Sequence, residues 1–282
     1  MPLCFACLAP HGWLTIPLLC GPEGSLAAAT QAATRELGRR MAAARPDTIV
    51  LITPHGTMIE GAISLLNTPS VIGDIADLPW SEGSLHSFRL GFAVDRALNA
   101  AIAERSRALD VPVLRVANQM EFAPLSMDFA SLIPLWYAGA DLWPRPDVVI
   151  ACPDRGAKAV SGEECVRFGR AVGAAAEASG RRVAFIASGD LGHAHDANHA
   201  YGYDPASAEF DALATECLRE NALERLLSVD AAWLRRARTD AYLPLLALHG
   251  ALEGSGWQTE LLSYEVPLYF GMACASAGPP AP

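Results

Sequence analysis

Short apolar runs rich in β-branched residues alternate with longer stretches of helical period along most of the chain, and this alternation limits the fold more than any other feature. Strands are expected at Leu3 to Ala9, Thr48 to Thr53, Ala62 to Leu66, Val111 to Ala117, Val148 to Cys152 and Arg182 to Ser188. A closing pair follows at Gln258 to Tyr264 and Tyr269 to Ala275. Helices fit Ser25 to Ala44, His86 to Arg107, Gly162 to Ser179, Ala206 to Glu220 and Tyr242 to Glu253, with stop signals such as Arg45-Pro46 and the "SGRR" at Ser179 to Arg182. The pattern predicts an α/β fold: a single-domain sandwich with a central, mostly parallel or mixed sheet flanked by helices. The short "SYEVP" connection makes the last two strands an antiparallel pair at one edge. No fixed-period repeat, heptad or linker interrupts the chain, so one domain is expected over residues 1–276, followed by a disordered "AGPPAP" tail over 277–282.

In such sheets, ligand sites form beyond the carboxyl ends of the strands. Three expected strands end in histidine. The run "FACLAPHG" carries His11, "LITPHGT" carries His55, and "RRVAFIA" leads into "SGDLGHAHD", with Asp190, His193 and His195. Gly or Pro beside these histidines permits tight turns and close approach of backbone to a ligand. A lone loop histidine is most often an ordinary surface or hydrogen-bonded residue. Two matching Pro-His-Gly ends and a dense histidine loop on one sheet edge point instead to a metal site. His86 and His249 fall in helical stretches and read as structural, and His199 as a polar loop residue. Two histidines with a carboxylate would suit non-haem Fe(II), whose facial triad leaves positions open for substrate and dioxygen. Asp190, Asp240 and Glu265 are the candidates, ahead of Glu60 and Asp128, and spacing does not choose among them.

Composition narrows the partners. The net charge of -10 leaves no basic stripe to neutralise phosphates, which argues against nucleic acid. No apolar run is long enough to span a bilayer, and the apolar N-terminus lacks the positive region of a signal peptide, so a soluble, cytoplasmic protein with no membrane contact is expected. The 7 cysteines are odd in number and scattered, unlike a disulfide framework. Cys4 and Cys7 of "CFAC" would fall on opposite faces of a strand, so buried thiols are the simpler reading.

The ordered set of "PHG" near the N-terminus, "PDTIVLITPHGT" and "SGDLGHAHDANHAYGYDPASAEFD", closed by "TDAYLPLLALHGALEGSG" and "LLSYEVPLYFGMACA", resembles the class III extradiol ring-cleavage dioxygenases, the LigB-type catalytic subunits related to the Memo-like proteins. The resemblance covers roughly residues 4 to 276. It implies a mononuclear non-haem Fe(II) site with a small aromatic diol and dioxygen as substrates; some members have a small partner subunit, and the sequence leaves that arrangement and a homo-oligomer both open. On it, His11 and His55 match the two histidine ligands, and His193 matches the acid–base catalyst. Asp240 in "RARTDAYLP" stands where the family has a glutamate ligand, with Glu265 in reserve as a ligand or supporting group. Asp190 would orient His193 or a metal ligand, or simply cap its turn. Phe129 in "SMDFASLIPL" replaces a histidine that faces substrate in many members, and His195 is a neighbour that would compensate. Trp13, Trp80 and Phe129 would wall a ring pocket. The expected pair of metal histidines lies on adjacent strands. Two other readings of the same residues are a Memo-like metal-binding protein without ring cleavage and a zinc-dependent hydrolase.

Overall fold

A computed structural model describes residues 3–75, 88–120, 122–156 and 158–279. Its main sheet has 8 strands, here named in chain order: β1 (Phe5–Ala9), β2 (Thr48–Ile52), β3 (Ile63–Leu66), β6 (Val113–Val116), β8 (Asp147–Pro153), β9 (Val183–Ser188), β10 (Gln258–Glu265) and β11 (Met272–Gly278). They lie in the order β10-β11-β1-β9-β2-β8-β3-β6. The central four, β1, β9, β2 and β8, run parallel. On one flank β11 and β10 run antiparallel, β10 forming the edge as expected. On the other, β3 is antiparallel to β8. A separate 3-stranded sheet contains β4 (Ser70–Asp74), β5 (Arg89–Ala93) and β7 (Leu125–Ser126).

The period of two in the central strands splits the core into two layers. Leu8, Val50, Val149 and Phe185 face one side, where they meet helices α2 (Arg96–Ala108), α4 (Gly162–Ser179), α5 (Pro205–Glu220) and α7 (Tyr242–Leu252). Cys7, Leu51, Ile150 and Ile186 face the other, under α1 (Ala28–Ala44) and α3 (Phe129–Ala138). Both faces are covered, which is why these strands read as continuous apolar runs. All 7 cysteines are free. Among the described residues, no helix is long and apolar enough to cross a membrane.

Several expected elements differ. The helix expected from His86 to Arg107 begins only at Arg96, where Asp95 caps it by accepting from the Leu98 N–H at 2.9 Å. The segment Arg89–Ala93 is strand β5, antiparallel to β4; His86 and Trp80 lie outside the described residues. The last strand starts at Met272 rather than Tyr269, and it continues through Ala277 and Gly278, which pair with Thr259 and Gln258. The supposed tail therefore begins inside the sheet. The structure also contains α3 and a short helix α6 (Ala231–Ala237), neither expected. In α3 the apolar residues go all round and Pro134 sits inside, so neither amphipathic period nor propensity marks it.

Candidate metal centre

The carboxyl ends of β1, β9 and β2 emerge side by side, and each feeds one loop of the site. The strands bearing His11 and His55 are not neighbours, as the sequence had suggested. The strand β9 runs between them and delivers the Asp190–His193 loop into the gap. A fourth segment, residues 238–241 between α6 and α7, closes on this loop. Asp190 N–H donates to Asp240 Oδ1 at 2.8 Å, and Ala241 N–H donates to Asp190 O at 3.1 Å. Gly189 makes this approach possible, because a Cβ there would lie 2.5 Å from Ala241 Cα. Gly12 does the same beside His11, where a Cβ would meet the Phe270 ring at 2.5 Å.

His11, His55 and Asp240 present ligand atoms within 4.8 Å of one another. Asp240 Oδ2 lies 3.0 Å from His55 Nε2, 3.3 Å from His11 Nε2 and 3.8 Å from His193 Nε2. The other ring nitrogens decide what these contacts are. Ser188 Oγ donates its only proton to the Ala130 carbonyl, so towards His11 Nδ1, 3.0 Å away, it accepts. His11 Nδ1 thus carries a proton, and in the neutral ring Nε2 is a bare lone pair aimed at a carboxylate. His193 is fixed alike, its Nδ1 donating to Leu191 O at 2.8 Å. Lone pairs converging on a carboxylate oxygen call for a cation or an extra proton between them. Two imidazoles and a carboxylate are a suitable donor set for a divalent transition metal, and hydrogen bonds of this kind on Nδ1 are how proteins orient such ligands.

The buried charges behave accordingly in the metal-free chain. Burial alone would push His11 towards its neutral form, but Asp190 and Asp240 outweigh it and raise its pKa to about 9. Burial would also raise Asp240, yet His11 and the hydrogen bonds from His11 and His55 hold its carboxyl well below the usual range. Asp190 moves up, chiefly through burial, with the Asp240 charge adding to the shift. It accepts from the His11 backbone N–H at 3.1 Å and stands 3.5 Å from His11 Nε2, so it supports His11 more directly than His193.

A cavity of about 120 Å³ lies against the cluster, lined by His11, His55, His193 and Asp190 on the polar side. Trp13, Phe129, Tyr201, Tyr269 and Phe270 form the aromatic side. The Phe129 ring centroid is 4.7 Å from that of His55 and 5.4 Å from that of His11. Phe270 stacks on His193 at 5.6 Å. The Tyr269 phenol is pushed up to about 12, mainly by burial, and so stays protonated at neutral pH. Sequence reasoning missed Ser188, Tyr201, Tyr269 and Phe270. For the last two the signal was present, since "YFG" directly follows the Pro-Leu of the closing loop.

Other sequence candidates lie elsewhere. His195 turns away, its Nε2 lying 3.0 Å from Asp211 Oδ2. Glu265 ends β10 and caps α1 instead: it accepts from the Thr30 N–H and Oγ1–H, each at 2.7 Å, and from the Ala29 N–H at 3.3 Å. Asp128 caps α3 by accepting from the Ser131 N–H at 3.1 Å, and it takes a hydrogen bond from Thr53 at 2.7 Å. Glu60 pairs with Lys158 at the surface. His249 lies 3.4 Å from Glu253 on α7, and His199 stacks on Tyr269.

Fold and site together define a class: a parallel-centred α/β protein whose central loops converge histidines and a carboxylate on one point. Within that class, the chain belongs to the family described as the catalytic LigB subunit of aromatic ring-opening dioxygenase, whose family model matches residues 6–273. It is 27% identical over 261 residues to Protein CA_C1420 of Clostridium acetobutylicum. That match covers 92% of this chain and 54% of the relative, so the chain spans about half the relative's length. The fold is similar to that of the uncharacterized protein JW3007 from Escherichia coli K12, with a TM-score of 0.56 and 17% identity, over 87% of this chain and 92% of the other.

Proposed function

We propose that this protein is a non-haem Fe(II)-dependent dioxygenase that opens a catechol-type ring beside its diol. One observation carries the reading: His11, with its Nδ1 proton fixed on Ser188, directs Nε2 at Asp240, where a metal ion can take the place of a proton, and His55 completes the set. His11, His55 and Asp240 would hold the ion. When bound, Fe(II) supplies open positions for the diol and for dioxygen and passes electrons between them.

The remaining chemistry falls to the chain. His193, its Nδ1–H held by Leu191 O, keeps Nε2 free to accept a phenolic proton and to return one as the ring opens. Asp190 fixes the His11 backbone by accepting from its N–H and stands 3.5 Å from its Nε2. Phe129, Phe270 and Trp13 pack the faces of a six-membered ring and exclude water from it, and the cavity is about the size of one such ring. The carbon–carbon bond next to the diol breaks, both atoms of dioxygen enter the product, and the ring itself provides the electrons. Aerobic incubation of anaerobically Fe(II)-loaded protein with a panel of catechols should give a yellow ring-opened product from at least one member. A fully loaded protein that opens none of them would contradict the proposal. Phe129 favours the second reading, a metal-binding protein of Memo-like type, because an apolar ring stands beside His55 where an imidazole would bond a substrate hydroxyl. Restoring that group with Phe129→His should raise turnover if ring cleavage is correct.

A further inference from the structure

A second pocket is lined in part by Asp240. Its volume is about 380 Å³, within the range of small-molecule sites, and Asp240 is the residue it shares with the metal cluster. Val160, Leu234 and Leu243 give it an apolar lining, and Arg155, Arg235 and Arg238 a cationic one. The chain has 21 Lys and Arg against 31 Asp and Glu, so cations gathered round one pocket would be expected to find acids readily. Among the described residues, neither exposed Arg155 nor exposed Arg235 forms an ion pair, and Arg238, near enough to Asp204 to lower its pKa, lies over the Tyr201 ring, 5.4 Å from its centroid. Arg236, next along α6, shows the ordinary outcome: it grips Asp204 with two bonds of 2.9 and 2.8 Å.

The pocket's frame is fixed. Buried Asp154 accepts from the Gly61 N–H at 2.8 Å and the Gly156 N–H at 2.7 Å, which anchors the loop carrying Arg155. Arg238 holds a φ of 52°, a left-handed position after a helix that usually goes to glycine or asparagine. The chain keeps a long cationic side chain there, directed past Tyr201, which also lines the metal-side cavity.

We infer that this pocket binds an organic anion, a carboxylate on an apolar body, and that its occupancy is coupled to the metal cluster through Asp240. Guanidinium groups suit a carboxylate, which can accept two parallel hydrogen bonds from one fork. The apolar lining buries the body, which an inorganic anion lacks. The sign of the coupling follows from charge. Without metal, the Asp240 carboxylate is offset at most by a proton on the histidines against it, whereas a divalent cation in that proton's place leaves the cluster more positive towards an incoming anion. Anion and metal therefore strengthen each other's binding, and by the same factor in both directions. The coupling rests on the metal reading of the cluster; the pocket does not.

Calorimetric titration of 4-phenylbutyrate and of inorganic sulfate into metal-free and Zn(II)-loaded protein tests this without any turnover. One 4-phenylbutyrate should bind per chain, more tightly than sulfate, and about fivefold more tightly with Zn(II) present. Arg235→Ala with Arg238→Ala should weaken it at least about tenfold, and Arg155→Ala alone by less, while Zn(II) uptake is unchanged. No binding to either form, binding unaltered in the double variant, or sulfate binding as tightly would overturn the pocket. Equal affinity with and without Zn(II), on protein that holds the ion, would overturn the coupling. Protein that takes up no Zn(II) would overturn the metal reading and leave the pocket standing.

Discussion

Asp240 and Asp211 are both buried, and both face histidines of the loop that follows β9, yet their surroundings differ in one respect. Asp211 is supplied with donors: the Gly192 N–H at 2.7 Å, the Tyr264 O–H at 2.8 Å and His195 Nε2 at 3.0 Å. Asp240 accepts from the Asp190 N–H on Oδ1, while its Oδ2 faces three Nε2 atoms, His55 within hydrogen-bond distance at 3.0 Å. Two of those rings, His11 and His193, have committed their Nδ1 protons elsewhere. A carboxylate whose lone pairs are all met is a fold-holding group. One met by imidazoles that have already placed their other proton is a group that takes either an extra proton or a metal ion at that point. The same loop thus uses His195 to bind itself to the body of the protein and His193 to reach the site.

The comparison can be broken at several points, in order of expected effect. His193→Ala should slow the proposed ring opening about 10²–10⁴-fold, the usual contribution of a general acid–base, with metal uptake unchanged; His195→Ala should leave turnover close to wild type. Single-turnover kinetics on metal-loaded variants would show it, and equal losses would erase the distinction. Asp211→Ala should cost about 2–4 kcal/mol in urea unfolding, because it strands the buried Gly192 N–H and removes the acceptor shared by Tyr264 and His195.

The third test is pH. His11 rises to about 9 in the folded metal-free chain, from an ordinary value near 6.5. Its contribution to stability is therefore complete below about pH 6.5 and lost as pH climbs through about 9, amounting to about 3 kcal/mol. Unfolding of chelator-treated protein between pH 6 and 9.5 should show this decline, and His11→Gln should flatten it. The smallest effect belongs to Ser188→Ala, which removes the acceptor for His11 Nδ1 and should weaken metal binding about 10–100-fold by equilibrium titration.

Much of this was readable from the chain. Continuous apolar runs bounded by helical periods specify a covered parallel sheet, and Pro-His-Gly at two strand ends places His11 and His55 on its carboxyl edge. The order of strands was not readable, since nothing local says that β9 inserts between β1 and β2. Asp240 emerged from a family resemblance rather than from spacing, because it lies in an irregular segment with no period to orient it. The same lack of period made His193 and His195 look alike, although two residues apart they face opposite carboxylates. Glu265 sits on a strand whose direction was clear but whose neighbour, α1, was not. Tyr269 and Phe270 read as strand because apolar runs do not distinguish a strand from the loop that feeds it, and Ser188 carries no mark beyond a hydroxyl at a strand end.

Anaerobic titration of Fe(II) into the wild-type chain, Asp240→Ala and Asp211→Asn tests the central claim most directly. One ion should bind per chain in the wild type and in Asp211→Asn, and none at the same concentrations in Asp240→Ala. Undiminished binding by Asp240→Ala, or no binding by the wild type, would contradict it.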